Sequence, residues 1–220
     1  MPINKSTQQG YLGNILNRRG IFDMYEISPE IQYFYNLEEN IDTDNFRLNV
    51  PIEARSGDTL LYLAACRDGR SQQSFTDGPG GSWINLATGF DNLFARYRTA
   101  VDADAGASVG GNWSSNTDGP AVCFVIDGNY ADHEVQNRTS SSFTLNSLTI
   151  NTPSNLGILF YQSRNNLPSA SPGLGTILET GNIVSSSYYQ IELGFNTTYP
   201  LQNITNSNSD CVGAYVSFDK

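Results

Sequence analysis

Residues 59–66 read TLLYLAAC, and residues 156–163 read LGILFYQS. Two further apolar segments recur in the same order: NLFARYR at 92–98 with YYQIELG at 188–194, and AVCFVID at 121–127 with GAYVSFD at 213–219. The offsets are 97, about 95 and 92 residues. Short runs rich in β-branched and aromatic residues, bounded by turn residues, are typical of strands. The chain therefore contains a duplicated β unit, which is typical of a scaffold.

Length and composition fit this interpretation. The chain has 220 residues, 39% of them hydrophobic, only 15% charged and 20 of them glycine, which suits short strands joined by polar turns. Each half alone would hold about four strands, which is marginal for independent stability. We therefore predict an all-β fold, a single jelly-roll-like or Greek-key β-sandwich with an internal pseudo-repeat, rather than two small separate sandwiches. The repeated halves are about 57–128 and 155–220.

The N-terminal region differs from the rest, and we predict an extended arm over residues 1–45, before a sandwich domain over 46–220. Residues 1–20 contain three basic residues and no acid, whereas residues 23–44 contain seven acids and no base. Such segments are commonly solvated, but an adhesive arm that docks on a neighbour is the sharper interpretation. Its candidate assembly residues are Tyr11, Leu12, Arg18, Arg19, Tyr33, Phe34 and Tyr35.

Two segments of the arm have local patterns. The apolar spacing around Gln9–Asn17 is compatible with a short helix, which would need a partner because isolated short helices are unstable. The stretch IQYFYN at 31–36 alternates as a strand does, or it lies extended on a neighbouring surface. Either arrangement would bury aromatic area.

Both tryptophans have a structural and a functional interpretation. Trp83, in GGSWINL, is predicted to cap one end of the sandwich, whereas Trp113 lies in residues 101–120, whose small and polar residues predict a surface loop. Exposed aromatic side chains can stack on sugar rings. Trp113 and Tyr130 are therefore the candidate glycan contacts.

The residues do not indicate an enzyme. The one histidine, His133, has no G-x-S-x-G nucleophile elbow to serve, and we predict no catalytic residues. Glu179 and Glu192 are the only glutamates after residue 155, which makes a carboxylate pair for glycoside hydrolysis a minor alternative. Cys66 and Cys123 lie in apolar runs and are predicted to be buried free thiols, as in a reducing compartment.

We predict no cofactor and no metal. The aspartates of VDADAG and DGNYAD are close together, but neither segment fits a complete calcium loop, so solvated turns are the default and a bound Ca²⁺ is a weak alternative. The net charge of −10 argues against nucleic acid as a partner. The sequence shows neither a signal peptide nor an apolar membrane span, so we expect neither standard secretion nor membrane insertion.

Several motifs together resemble a known group of proteins. They are the Gly57-Asp58 turn into TLLYLAA, the SWINL segment, LFARYRTA, the GNWSS segment and AVCFVIDG. As a set they resemble bacteriophage virion-associated β-sandwich proteins of the head decoration, cement or tail-associated type. The resemblance covers residues 57–220 and transfers no catalytic residue.

The resemblance implies a structural protein of a bacteriophage particle, made in the host bacterial cytoplasm and located in the virion. A capsid decoration or cement protein acting by protein–protein assembly is our first expectation. Its partners would be a major capsid or tail protein and further copies of itself, as a homo-oligomer. The alternative is a tail or fibre-associated, carbohydrate-binding, receptor-binding module.

Overall fold

The computed structural model describes residues 3–10, 31–66, 70–88, 92–138, 142–145, 156–164, 169–171, 176–183, 187–194, 202–205 and 211–220. These residues form fifteen β-strands and one 3-10 turn at Asp102–Asp104. The strands are β1 Ile3–Gly10, β2 Tyr33–Asn49, β3 Thr59–Ala65, β4 Gln72–Thr76, β5 Ile84–Asn85, β6 Leu93–Thr99, β7 Ser108–Ile126, β8 Asn129–Arg138, β9 Ser142–Leu145, β10 Leu156–Arg164, β11 Ser169–Ser171, β12 Thr176–Ile183, β13 Ser187–Gly194, β14 Gln202–Thr205 and β15 Cys211–Asp219. No described helix is long and apolar enough to cross a membrane.

The strands form two large antiparallel sheets and one small sheet. Sheet 1 has the order β1-β2-β7-β3-β6-β5, with β4 also paired to β7. Sheet 2 has the order β12-β13-β10-β15-β8, and the small sheet has the order β11-β14-β9. The predicted all-β sandwich is therefore confirmed.

The hydrogen-bond register confirms the sequence repeat. Thr59 lies opposite Ile126 in sheet 1, and Leu156 lies opposite Phe218 in sheet 2. Leu156 follows Thr59 by 97 positions and Phe218 follows Ile126 by 92, which are the offsets of the repeated segments. The neighbouring strand pairs repeat in the same way. Leu61 of β3 pairs with Tyr97 of β6, and the equivalent residues Ile158 of β10 and Leu193 of β13 pair with each other.

The repeat extends to strand order. In sheet 1 the strands β2-β7-β3-β6-β5 lie side by side, and in sheet 2 their counterparts β8-β15-β10-β13-β12 lie in the same order. In the first copy, the start of β7 pairs with the distal part of β2 on one side and with β4 on the other. In the small sheet, β14 likewise pairs with β9 on one side and with β11 on the other. Each copy therefore contributes one five-stranded sheet and one three-stranded layer.

The two large sheets pack face to face around one hydrophobic core. Leu61, Leu63 and Phe124 of sheet 1 belong to the same buried cluster as Ile158 and Ile191 of sheet 2. Strand β10 lies over β3, β13 over β7, β15 over β6, and β12 over β2 and β7. This arrangement relates the halves by a pseudo-twofold axis near β3 and β10, and it fuses them into one sandwich.

A second core covers the other face of sheet 1, and it overturns the predicted loop at 101–120. Residues 108–126 form β7, and Trp113 is 1% exposed, packed edge-on against Phe46 at 5.7 Å and 4.6 Å from Phe94 between ring centroids. The small residues permit this approach, since a Cβ on Gly111 would lie 2.3 Å from the Phe94 ring. Trp113 is therefore a core residue.

The start of the sandwich lies earlier than the predicted boundary at residue 45. Tyr33, Tyr35 and Leu37 of β2 are at most 4% exposed and belong to the core between the sheets. Their alternation with more exposed residues matches the pleat of a strand with one buried face. Residues 31–45 are thus part of sheet 1 rather than of an arm.

The predicted helix at Gln9–Asn17 does not begin as expected, because Gln9 and Gly10 end strand β1. This strand pairs antiparallel with β2 at the edge of sheet 1. The other residues of the predicted helix lie outside the described residues.

A buried ion pair fixes one end of sheet 1. Arg98 donates to both carboxylate oxygens of Asp104, at 2.6 and 2.5 Å, and neither side chain is more than 4% exposed. The backbone N–H groups of Val101 and Gly80 also donate to Asp104, and the Trp83 ring lies 4.9 Å from Arg98 Cζ. Trp83 is 7% exposed and belongs to the second core, over the other face of sheet 1, rather than to the core between the sheets.

Candidate assembly surface

Two reciprocal hydrogen bonds join the sheets where β12 lies over β2. The Tyr35 hydroxyl on β2 donates to Glu179 Oε1 on β12 at 2.8 Å. The Tyr189 hydroxyl on β13 donates to Glu39 Oε1 on β2 at 2.8 Å. We call these four residues the tyrosine–glutamate rim.

In the tyrosine–glutamate rim, each tyrosine hydroxyl donates a hydrogen bond to a glutamate carboxylate. Burial first, and then the hydrogen bond to a glutamate, raises the pKa of both Tyr35 and Tyr189 far above its usual value. Both phenols therefore stay protonated and remain donors at neutral pH. Gly181 leaves room for this contact, because a Cβ there would lie 2.7 Å from Glu39 Oε1. The arrangement clamps the two sheets together.

We expect Tyr189→Phe to lower the free energy of unfolding by about 1–3 kcal/mol, because it removes a donor from the buried Glu39 carboxylate. Tyr188→Phe is the matched control, since Tyr188 is half-buried on the neighbouring position, and its effect should be within about 0.5 kcal/mol. Urea unfolding of both variants measures the difference. Equal effects would show that the Tyr189 hydroxyl contributes nothing specific.

The two candidate hydrolase glutamates do not converge. Glu179 joins the rim between the sheets, whereas Glu192 lies on the opposite face of sheet 2, because its neighbour Ile191 belongs to the core between the sheets. There Glu192 accepts hydrogen bonds from Tyr161 and from Gln190, at 2.6 and 2.8 Å. Both carboxylates have internal hydrogen-bonding roles.

This buried polar network distinguishes the second copy from the first. The pairing offsets of 97 and 96 give the equivalent positions in sheet 1, which are Ala64, Phe94 and Arg96 for Tyr161, Gln190 and Glu192. Phe94 packs among aromatic rings, so the outer face of sheet 1 carries an aromatic core. The copies therefore share a framework but differ in the chemistry on their outer faces.

Two of the five exposed large apolar side chains of the described residues lie on sheet edges, whereas Ile52, 75% exposed, lies in the turn after β2. Ile84 on β5 is 53% exposed, and Ile177 on β12 is 59% exposed. Each strand is the outermost described strand of its sheet. The two edges lie on opposite sides of the sandwich, because β5 pairs with β6, which lies over β15, whereas β12 lies over β2. The candidate assembly surface therefore comprises two separate edges, β5 and β12. Each presents backbone groups and an apolar side chain together, which is the combination that strand pairing requires.

Tyr130 lies on the β5 side of the sandwich, since its stacking partner Tyr97 pairs with Ile84, and it makes internal contacts. Its ring stacks on Tyr97 with centroids 4.1 Å apart, and its hydroxyl hydrogen bonds to His133 Nδ1 at 2.6 Å. Burial, followed by the charges of Asp132 and Tyr97, raises the pKa of Tyr130 to about 12. His133 is thus held by a tyrosine within strand β8.

The other predicted residues have varied positions. Tyr33 and Tyr35 are core residues, Phe34 is half-buried, and the burial of Trp113 rules out its predicted role as a glycan contact. Cys66 and Cys123 are buried free thiols, as predicted, and burial raises the pKa of Cys123. Tyr11, Leu12, Arg18 and Arg19 lie outside the described residues.

The aspartates considered for calcium do not gather. Asp104 pairs with Arg98, and Asp127 pairs with Lys220. The described part of the chain contains no group of three or more His, Cys, Asp or Glu side chains placed to hold a metal ion.

Sequence reasoning missed both hydrogen bonds of the rim. Their partners are 144 and 150 residues apart, so no local spacing links them. Only the fold brings β2 and β12 together.

No protein-family model and no curated protein matches the chain. Among solved structures, the chain is similar to AerE from Microcystis aeruginosa, with 10% sequence identity and a TM-score of 0.34. The match covers 89% of this chain and 96% of the AerE chain. A similarity this low carries no functional argument.

Proposed function

We propose that this chain is a structural protein of a bacteriophage particle, and specifically a capsid decoration or cement protein that acts by protein–protein assembly. The observation that carries the proposal is the exposure of Ile84 and Ile177 on the outermost described strands of the two sheets. The resemblance of residues 57–220 to virion-associated sandwiches supports the setting. The partners in this proposal are other virion proteins and further copies of the chain.

A rigid sandwich whose sheet edges can pair with another chain is suited to assembly. The core between the sheets and the tyrosine–glutamate rim hold the sandwich as one body, so little conformational entropy is lost when it docks. Apolar side chains beside open backbone edges favour pairing with another chain. The net charge of −10 keeps the free protein soluble before it docks.

Addition of the purified protein to particles that lack it tests the proposal. Decoration predicts saturable binding to preformed capsids, with a fixed ratio of this chain to the major capsid protein. Binding only at the tail would shift the proposal to a tail component. Absence of binding to any part of the particle would contradict it.

The alternative is a carbohydrate-binding module at the tail or fibre, and the Tyr97–Tyr130 stack is the observation that favours it. Both rings are half-buried, so part of the stack faces solvent. We expect glycan-array binding in this case to be lost in Tyr130→Ala and retained in Tyr188→Ala. A silent array for the unmodified protein would remove this alternative.

A further inference from the structure

Among the described strands, β12 is the outermost of sheet 2. It pairs with β13 over residues 176–183, and no described strand pairs with its other edge. Eight residues of backbone are enough for a ladder, since strands of this length are common in sheets, and the ladder with β13 contains one bulge between Ile177 and Glu179.

Strand β1 of sheet 1 lies beneath the space beside β12. Strand β12 lies over β2 and β7, whereas β1 pairs with the far side of β2. Sheet 1 therefore projects one strand beyond sheet 2 on this side. An added strand beside β12 would lie over β1 and complete the second layer.

The edge is less protected against pairing than the other edges, because a β-bulge between Ile177 and Glu179 is its main irregularity. Natural edges carry charges, proline or short strands to prevent association. The free edge of β8 follows this rule with Asp132, His133 and Glu134, and β5 is only two residues long. In contrast, β12 reads TILETGNI, its single charge at Glu179 accepts the Tyr35 hydroxyl, and Ile177 is exposed.

The strand arrangement and the local charge limit which segment can pair with the edge of β12. A second copy cannot pair its own β12 with this edge about a two-fold axis perpendicular to the sheets, because its β2 would then occupy the space of β1. Glu39 of β2 and Glu179 of β12 make this side acidic, so an acid-free segment fits and an acidic one is repelled.

We propose that the free edge of β12 is a strand-addition site that takes one extended, neutral or basic segment of a partner virion protein. Main-chain hydrogen bonds to β12 supply the pairing, and an apolar side chain of the segment packs beside Ile177. This inference rests on the proposed function and names the contact by which the chain holds the particle.

Matched substitutions at two exposed isoleucines test the site, with purified particles as the probe. Ile177→Lys places a charge beside the added strand, and we expect it to reduce binding to particles at least about tenfold. Ile52→Lys, at a side chain that is 75% exposed in the turn after β2 and lies outside the candidate assembly surface, should bind as the unmodified protein does. Thermal unfolding of each free variant verifies that it is folded.

Amide hydrogen exchange gives a second measurement that needs no variant. We expect the amides of residues 176–183 to be protected on the particle and to exchange faster in the free protein. Unchanged exchange there, or normal binding by Ile177→Lys, would overturn the strand-addition site while leaving particle binding intact. Protection that depends on the concentration of the free protein would identify a second copy as the occupant and would also overturn the proposal. Failure of the unmodified protein to bind particles would overturn both proposals.

Discussion

Deletion of residues 1–45 is expected to abolish cooperative unfolding, whereas deletion of residues 1–10 should leave a folded sandwich. The longer deletion removes Tyr33, Tyr35 and Leu37 from the core between the sheets. Each buried side chain of this kind contributes roughly 1.5–3 kcal/mol, and the whole domain is stable by only about 5–15 kcal/mol. It also removes the part of β2 that pairs with residues 117–126 of β7.

The shorter deletion removes only β1, an edge strand that pairs with β2 alone. Circular dichroism during thermal unfolding distinguishes the two truncated proteins. A cooperative transition in the protein lacking residues 1–45 would contradict the placement of β2 in the core. Loss of the transition in the protein lacking residues 1–10 would show that β1 is essential to the fold.

Asp104→Asn is expected to lower the free energy of unfolding by about 3–5 kcal/mol, because it leaves the buried Arg98 charge without its counter-ion. Two backbone N–H groups and the two guanidinium nitrogens Nη1 and Nη2 of Arg98 donate to this carboxylate. Asp102→Asn is the matched control, since Asp102 is exposed in the same 3-10 turn, and it should change stability by less than about 0.5 kcal/mol.

The pH dependence of the same substitution gives an independent check. Burial alone would raise the pKa of Asp104, but the hydrogen bonds from Arg98 and Val101 outweigh it and hold that pKa below its usual value. Its stabilisation is therefore complete above the unfolded pKa of about 4 and is lost as the pH falls through the lower folded pKa. Urea unfolding should show the two proteins converging in acid. A difference that stays constant as the pH is lowered would contradict the ion-pair explanation.

The duplicated framework was predictable from sequence because strand interiors keep their apolar character and their order. The offsets of 97 and 92 between repeated segments are the offsets of the paired residues themselves. A register shift of one residue would turn a strand's buried side chains to the other face, so the pairing and the apolar pattern had to be copied together.

The misassigned segment around Trp113 shows where composition misleads. Gly110 and Gly111 read as loop residues, but they allow β7 to pass close to Phe46 and Phe94, where any side chain would collide. Glycine here serves a close backbone approach within a strand. The same approach buries Trp113 and removes it from any ligand surface.

Polar contacts between distant strands could not be predicted, because nothing local indicates that Tyr35 meets Glu179 or that Tyr189 meets Glu39. The divergence between copies also extends beyond loops: Tyr161 and Glu192 occupy positions that are Ala64 and Arg96 in the first copy. The copies share the pairing of their strands. They differ in the side chains on the outer faces of the two sheets.

We propose that this chain is an assembly protein of the virion, and its copy number in purified particles tests the proposal most directly. Quantitative mass spectrometry against the major capsid protein measures the ratio. We predict a fixed ratio, close to a small-integer fraction of the capsid protein, since decoration follows the capsid lattice. A few copies per particle would place the chain at the tail, and its absence from purified particles would contradict the account.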